Sequence, residues 1–182
     1  WTRPAAQLIL FEYLKDISRH LHALSPGKPV AISGFCNAAI SPQEFEMFWD
    51  NLLQAAPIDI VLFQDGIGAN KMTFSKLPDY LAAIYQAANA NLRELRVIVE
   101  IFEQLPGKAS AGSHFSARPA PLSRIKKQMA IDRRHGVDLV AFSIPEYMTP
   151  SAGPEAEKLF HGYLRGRGVP DPSSPSALIW DP

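Results

Sequence analysis

Four times along this chain a short, unbroken apolar run leads into a polar loop and then into a segment with helical periodicity, and no other feature constrains the fold as tightly. The runs are residues 29–35, 58–63, 95–102 and 137–144. A strand with one wet face alternates apolar and polar residues, whereas one covered on both faces is continuously apolar, as parallel strands under helices are. The helical segments obey the other period. In Pro4–Leu24, Leu8, Phe11, Leu14, Ile17, Leu21 and Leu24 recur at three and four, with Glu12, Lys15, Asp16 and Arg19 between them. Ser41-Pro42-Gln43-Glu44 has the order N-cap, N1 proline and capping-box glutamate, opening a helix to Ala55. Further helices are expected at 77–90, at 121–135 before Gly136, and at 154–165.

The class is therefore α/β, with parallel β/α units, and the loops choose between its architectures. The long polar loops, residues 36–40, 64–76, 103–120 and 145–153, all follow strands, while the helix-to-strand turns are short. In parallel α/β folds the loops at the strand carboxy ends carry function, so these four share one face. Four units fit either an open flavodoxin-like sheet or the carboxy-terminal half of a (β/α)8 barrel. An open sheet would begin on a strand; this chain begins on a helix, as a cut before the fourth helix of a barrel would leave it. Gly66-Ile67-Gly68 lacks the third glycine of a dinucleotide fingerprint, which weakens a phosphate- or nucleotide-binding reading. Residues 1–168 are expected to form the four-unit half and 169–182 a Pro/Ser-rich tail.

Charge removes several partners from consideration. Eighteen basic residues balance 18 acidic ones among 182, leaving no excess to attract nucleic acid or an anionic membrane. No apolar run approaches the ~20 residues that span a bilayer. The start, Trp1-Thr2-Arg3-Pro4, has the look of a cut end, and an export signal upstream of it would make the protein periplasmic or extracellular. Cys36, the single cysteine, lies in the apolar run 32–36 and is expected to be a buried thiol.

Two constellations carry the chemistry. The second strand runs straight into Gln64 and Asp65, and alternation lets only one of these neighbours face a substrate cleft; Asp65 could equally bond the loop amides beside Gly66. The third strand, Arg96-Val97-Ile98-Val99-Glu100-Ile101-Phe102-Glu103, holds a carboxylate inside an apolar run, where it needs a partner or a function. Arg96 is one available partner for Glu100, while Glu103 can reach loop and solvent. Phe35, Phe74, Phe115 and Tyr147 sit in strand-end loops where aromatic faces could stack on sugar rings, and Asn37 could bond sugar hydroxyls or make an Asx-turn. His114 has no second His or Cys at metal spacing, so neither a metal nor a cofactor is expected. The cluster Arg124-Ile125-Lys126-Lys127 reads as the solvated face of its helix.

Phe63-Gln64-Asp65-Gly66-Ile67-Gly68, then Val99-Glu100-Ile101-Phe102-Glu103, then Phe142-Ser143-Ile144-Pro145-Glu146-Tyr147-Met148-Thr149-Pro150 resemble the last three strands of a bacterial TIM-barrel family, domain of unknown function family 4434, related to glycoside hydrolases. The resemblance extends over residues 7–163. It implies a barrel acting on a polysaccharide or glycoside, with Glu100 on the seventh strand as nucleophile or stabilising carboxylate and Asp65 on the sixth positioning substrate. Gln64, Asn37, Phe35, Tyr147 and Glu103 would line the site. The acid/base of such barrels sits on strand four, before Trp1, so the 182 residues alone are expected to be inactive. They are expected to associate with a missing amino-terminal half-barrel or with a second copy of the chain. The alternative readings are a non-catalytic carbohydrate-binding or scaffolding barrel and a flavodoxin-like phosphate or nucleotide binder.

Overall fold

A computed structural model describes residues 4–36, 38–106 and 115–168. It opens with helix α1 (Pro4–Leu24), followed by β1 (Ala31–Phe35), α2 (Pro42–Ala55), β2 (Ile60–Gln64), α3 (Leu77–Ala90) and β3 (Glu94–Glu100). A short hairpin, β4 (Phe102–Gln104) and β5 (Ala117–Pro119), precedes α4 (Leu122–Asp132), β6 (Asp138–Phe142), α5 (Ile144–Tyr147) and α6 (Pro154–Gly166). The expected capping box is present: the Ser41 hydroxyl accepts from the Glu44 amide while the Glu44 carboxylate accepts from the Ser41 amide.

Strands β1, β2, β3 and β6 pair in that order, all parallel. Consecutive β/α units are thus neighbours in space, and the described strands never reverse direction of growth. A flavodoxin-like sheet needs such a reversal to create its binding crevice, so that alternative is set aside.

The register stacks the strands into layers. Ser33, Leu62, Arg96 and Asp138 align, and one layer nearer the carboxy ends Phe35, Gln64, Ile98 and Val140 align. Strand alternation sends both layers to one face and Gly34, Val61, Phe63, Leu95, Val97 and Val99 to the other. That second face is the core. Phe63 meets Phe45 at 6.0 Å between ring centroids, and Phe45 meets Trp49 at 6.3 Å and Tyr80 at 5.6 Å. Gly34 is required there: a Cβ at that position would overlap the Trp49 indole. A second cluster, Val99, Ile101, Ile125, Met148 and Leu159, joins β3 to α4 and α6.

The first face is largely bare. Ala31, Ser33, Phe35, Val140 and Phe142 are exposed on it, although the runs that carry them are apolar. Four sequential parallel strands with helices on one side and an uncovered inner side is the arrangement of half a (β/α)8 barrel.

The third strand departs from expectation. It stops at Glu100, and Phe102–Gln104 turns away to pair antiparallel with Ala117–Pro119, Glu103 opposite Arg118. The Ile101 amide makes the last ladder bond, to the Phe142 carbonyl at 2.9 Å, and then the Gln104 amide donates instead to Gly68 of the β2 loop at 2.8 Å. What reads as one strand and a long loop is therefore a strand and a hairpin that folds over its end. Likewise α5 and a 3-10 turn at Pro150–Ala152 occupy the loop after β6.

Candidate functional site

The site is built by the loop after β2. Gly66 takes φ of 72°, where a side chain is strained, and its carbonyl accepts from the amides of Lys71 and Met72 at 2.9 and 3.1 Å. The closed loop lies across the end of β3, and the Ala69 amide donates to Glu100 Oε2 at 2.7 Å. Gly68 approaches so closely that a Cβ there would lie 2.8 Å from Glu100 Cβ and 3.1 Å from its Oε2. Glu100 is 2% exposed. Burial raises its pKa, while the amides of Ala69 and Gly68 and the Arg124 guanidinium oppose that rise. Arg96 does not serve it, being bound to Glu94 at 2.5 Å.

Gln64 and Asp65 part company as alternation demands. Gln64 is on the open face and donates to the Ser33 hydroxyl at 2.8 Å. Asp65 turns to the helix side and is fully buried, following the loop-bonding alternative: Oδ1 accepts from the Ile67 amide at 3.1 Å and Oδ2 accepts from Gln128. In these bonds it ties the loop.

Behind the loop stands a polar stripe on α4, and of its members only Arg124 belongs to the cluster expected on a solvated face. Arg124, Gln128 and Asp132 are spaced four apart and share one face. Arg124 is mostly buried, donating to the carbonyls of Glu100 at 2.5 Å and Phe102 at 2.9 Å and to Gln128 Oε1 at 2.5 Å. Gln128 and Asp132 are fully buried. The Asp132 carboxylate oxygens have no conventional donor among the described residues; they face Asp65, which can bond them only through a proton. Burial first, then the Asp65 charge, pushes Asp132 up to about 8. Burial likewise pushes Asp65 up to about 7, with Glu100 adding and the Ile67 amide, Gln128 and Arg124 subtracting. The pair therefore keeps a proton at neutral pH. Cys36, also on this side, has its thiol pushed up to about 12 by burial and then by Asp65, as suits an inert buried thiol.

Around Glu100 the open edge is aromatic. Phe102 contacts Phe115 at 5.4 Å, Phe142 at 6.3 Å and Tyr147 at 5.2 Å. Phe35, Phe115 and Phe142 keep 61%, 59% and 52% of their surface exposed, enough to present ring faces. Tyr147 is half-buried. Glu103 is engaged by Arg118 at 3.3 Å across the hairpin, with Arg124 at 3.8 Å. Phe74 packs against the main core under Lys127, 4.4 Å from its centroid. Asn37 and His114 lie outside the described residues. The sequence reading missed Arg124, Gln128 and Asp132, whose only signal is their spacing of four. It also gave no role to Phe142, hidden in an apolar run. Among the described residues no three His, Cys, Asp or Glu are grouped to hold a metal, and no helix is long and apolar enough to cross a membrane.

The model of the family described as Domain of unknown function (DUF4434) matches residues 1–154. No curated protein matches the chain. Among solved structures, the crystal structure of a putative alpha-L-fucosidase from Bacteroides thetaiotaomicron VPI-5482 is similar, with a TM-score of 0.73 at 16% identity. The match covers 88% of this chain and 52% of that one, so the chain spans about half the length of the structure it resembles.

Proposed function

The chain belongs to the DUF4434 family, and from that premise we propose that it forms part of a glycoside-processing barrel, with Glu100 as the carboxylate presented to the sugar. The observation that carries this reading is the placement of Glu100 at the carboxy end of a parallel strand, held by loop amides, with exposed Phe142 opposite it on β6 and exposed Phe115 against the neighbouring Phe102. Aromatic faces suit the apolar faces of sugar rings, and Gln64 supplies an amide one strand away. Ionised Glu100, steadied by two amides, would act as nucleophile or as the charge that stabilises an oxocarbenium-like transition state. The similarity to a fucosidase-named structure makes α-L-fucosides the first substrates to try. In this proposal the acid that protonates the leaving group comes from outside the 182 residues, either from an amino-terminal half-barrel or from a second copy covering the bare face.

A panel of aryl glycosides, α-L-fucosides first, assayed on these 182 residues and on the chain joined to whatever precedes Trp1 in its gene, tests the reading. Turnover is expected only for the longer protein, since losing a general acid costs about 10²- to 10⁴-fold. Robust turnover by the 182 residues as a monomer would refute the division of the site between two halves.

A second reading has its own observation. Glu100 is nearly inaccessible and its Oε2 is committed to the loop, which fits a carbohydrate-binding or scaffolding barrel in which Glu100 anchors the Gly66–Ala69 turn and the aromatics alone meet ligand.

A further inference from the structure

The helix-bearing side of the sheet is not evenly covered. Between α4 and α6, over β3 and β6, runs a groove of about 530 Å³. Leu139, Met129, Ile144 and Tyr163 supply its accessible apolar surface, over a floor of buried Val99, Ile101, Ile125 and Leu159. Lys126, Arg133 and Arg167 stand along it, and none of the three makes an ion pair among the described residues. The groove thus combines apolar surface with unneutralised positive charge.

The chain itself supplies a complement. Helix α6 ends at the groove, since Gly166 and Arg167 both line it, and Gly168 at φ of 71° turns the backbone off the helix axis. Beyond Gly168 the sequence is Val169-Pro170-Asp171-Pro172-Ser173-Ser174-Pro175-Ser176-Ala177-Leu178-Ile179-Trp180-Asp181-Pro182. Its apolar residues are concentrated in Leu178-Ile179-Trp180, and its only charged side chains, Asp171 and Asp181, are negative. Nine residues lie between Gly168 and Leu178, a reach over ten steps of up to about 33 Å, ample for a groove that begins at the tether. The family match stops at residue 154, the first residue of α6, so the rest of that wall and this segment both lie beyond it. We infer that the carboxy-terminal segment docks back into the groove of its own chain, Leu178, Ile179 and Trp180 on the apolar surface and the two aspartates toward Lys126, Arg133 and Arg167. The inference is independent of the proposed glycoside site, which lies at the strand ends on the opposite face.

Trp180 reports the docking. In a Trp1→Phe background the remaining tryptophans are Trp180 and Trp49, which is 1% exposed and serves as the buried reference. A short tether gives an effective concentration on the order of mM, so a segment whose free peptide bound at about 0.1 mM would be docked roughly nine-tenths of the time, and acrylamide quenching of Trp180 would fall several-fold. Ile179→Asp, which alters no residue of the folded core, and the double charge reversal Lys126→Glu with Arg133→Glu should each restore quenching, with far-UV circular dichroism unchanged. Free quenching of Trp180 in the parent, shielding that persists in Ile179→Asp or in the charge reversal, or shielding that grows with protein concentration as a second copy binds, overturns the inference.

Discussion

Replacing Asp132 by Asn should change how the stability of this protein depends on pH. Asp132 faces Asp65 with no other donor to its oxygens among the described residues, and its pKa is raised to about 8 from 3.8. The folded state therefore retains a proton that the unfolded chain releases near pH 4. For a carboxyl raised in this way the associated stability is full below the unfolded value and is lost as pH rises toward the folded value. One such proton costs about 1.4 kcal/mol per pH unit, or about 3 kcal/mol between pH 5 and pH 7, levelling off above about pH 8. The Asn amide can donate to Asp65 without a proton to lose. Relative to the parent, Asp132→Asn should be within about 1 kcal/mol at pH 5 and more stable by about 1–3 kcal/mol at pH 8. Part of the slope should survive, because Asp65 keeps its own burial and the neighbouring Glu100 charge. Urea unfolding from pH 5 to pH 8.5 measures both curves. Parallel curves would show that the two carboxyls do not share a proton, and the account of the α4 stripe would fail.

Other substitutions probe the supports of the site. Gly68→Ala places a Cβ against the Phe102 carbonyl and Glu100, and should cost about 1–3 kcal/mol by overpacking while speeding exchange of the Ala69 amide, readable by hydrogen exchange. Arg124→Met strips the donor from two backbone carbonyls and Gln128; a loss of about 3–5 kcal/mol in urea unfolding is expected, and one below about 1 kcal/mol would place Arg124 outside the buried network. Ser41→Ala removes the cap of α2 and should cost about 0.5–2 kcal/mol in the same assay.

The fold was legible where a single period governs a segment. The α1 stripe, the Ser41–Glu44 box and four continuous apolar runs fix helices, strands and their parallel sense, even though one face of the strands is bare among the described residues. Strand ends were less legible. Residues 100–104 remain extended through two different sheets, and only a tertiary bond, from the Gln104 amide to Gly68, tells the chain to leave the first. At the site, Glu100 announces itself as an acid among β-branched neighbours, while the Gln64–Asp65 pair needs the register to decide which side chain looks outward. Arg124, Gln128 and Asp132 were hidden because a polar stripe on a helix reads alike whether it meets water or buried carboxylates. Burial beneath the Asp65 turn is a property of the assembled sheet and loop, absent from any local pattern.

The central claim is that Glu100 is there for chemistry and not only to hold the loop, and the matched pair Glu100 and Glu100→Gln, in the longest protein that turns over a glycoside, tests it most directly. Gln retains the size and one acceptor for the Ala69 amide but cannot carry the negative charge. The account predicts that turnover falls by at least about 10²-fold while the melting temperature moves by only a few degrees. Turnover per folded molecule preserved together with a large drop in melting temperature would contradict it, and would make Glu100 the anchor of the Gly66–Ala69 turn.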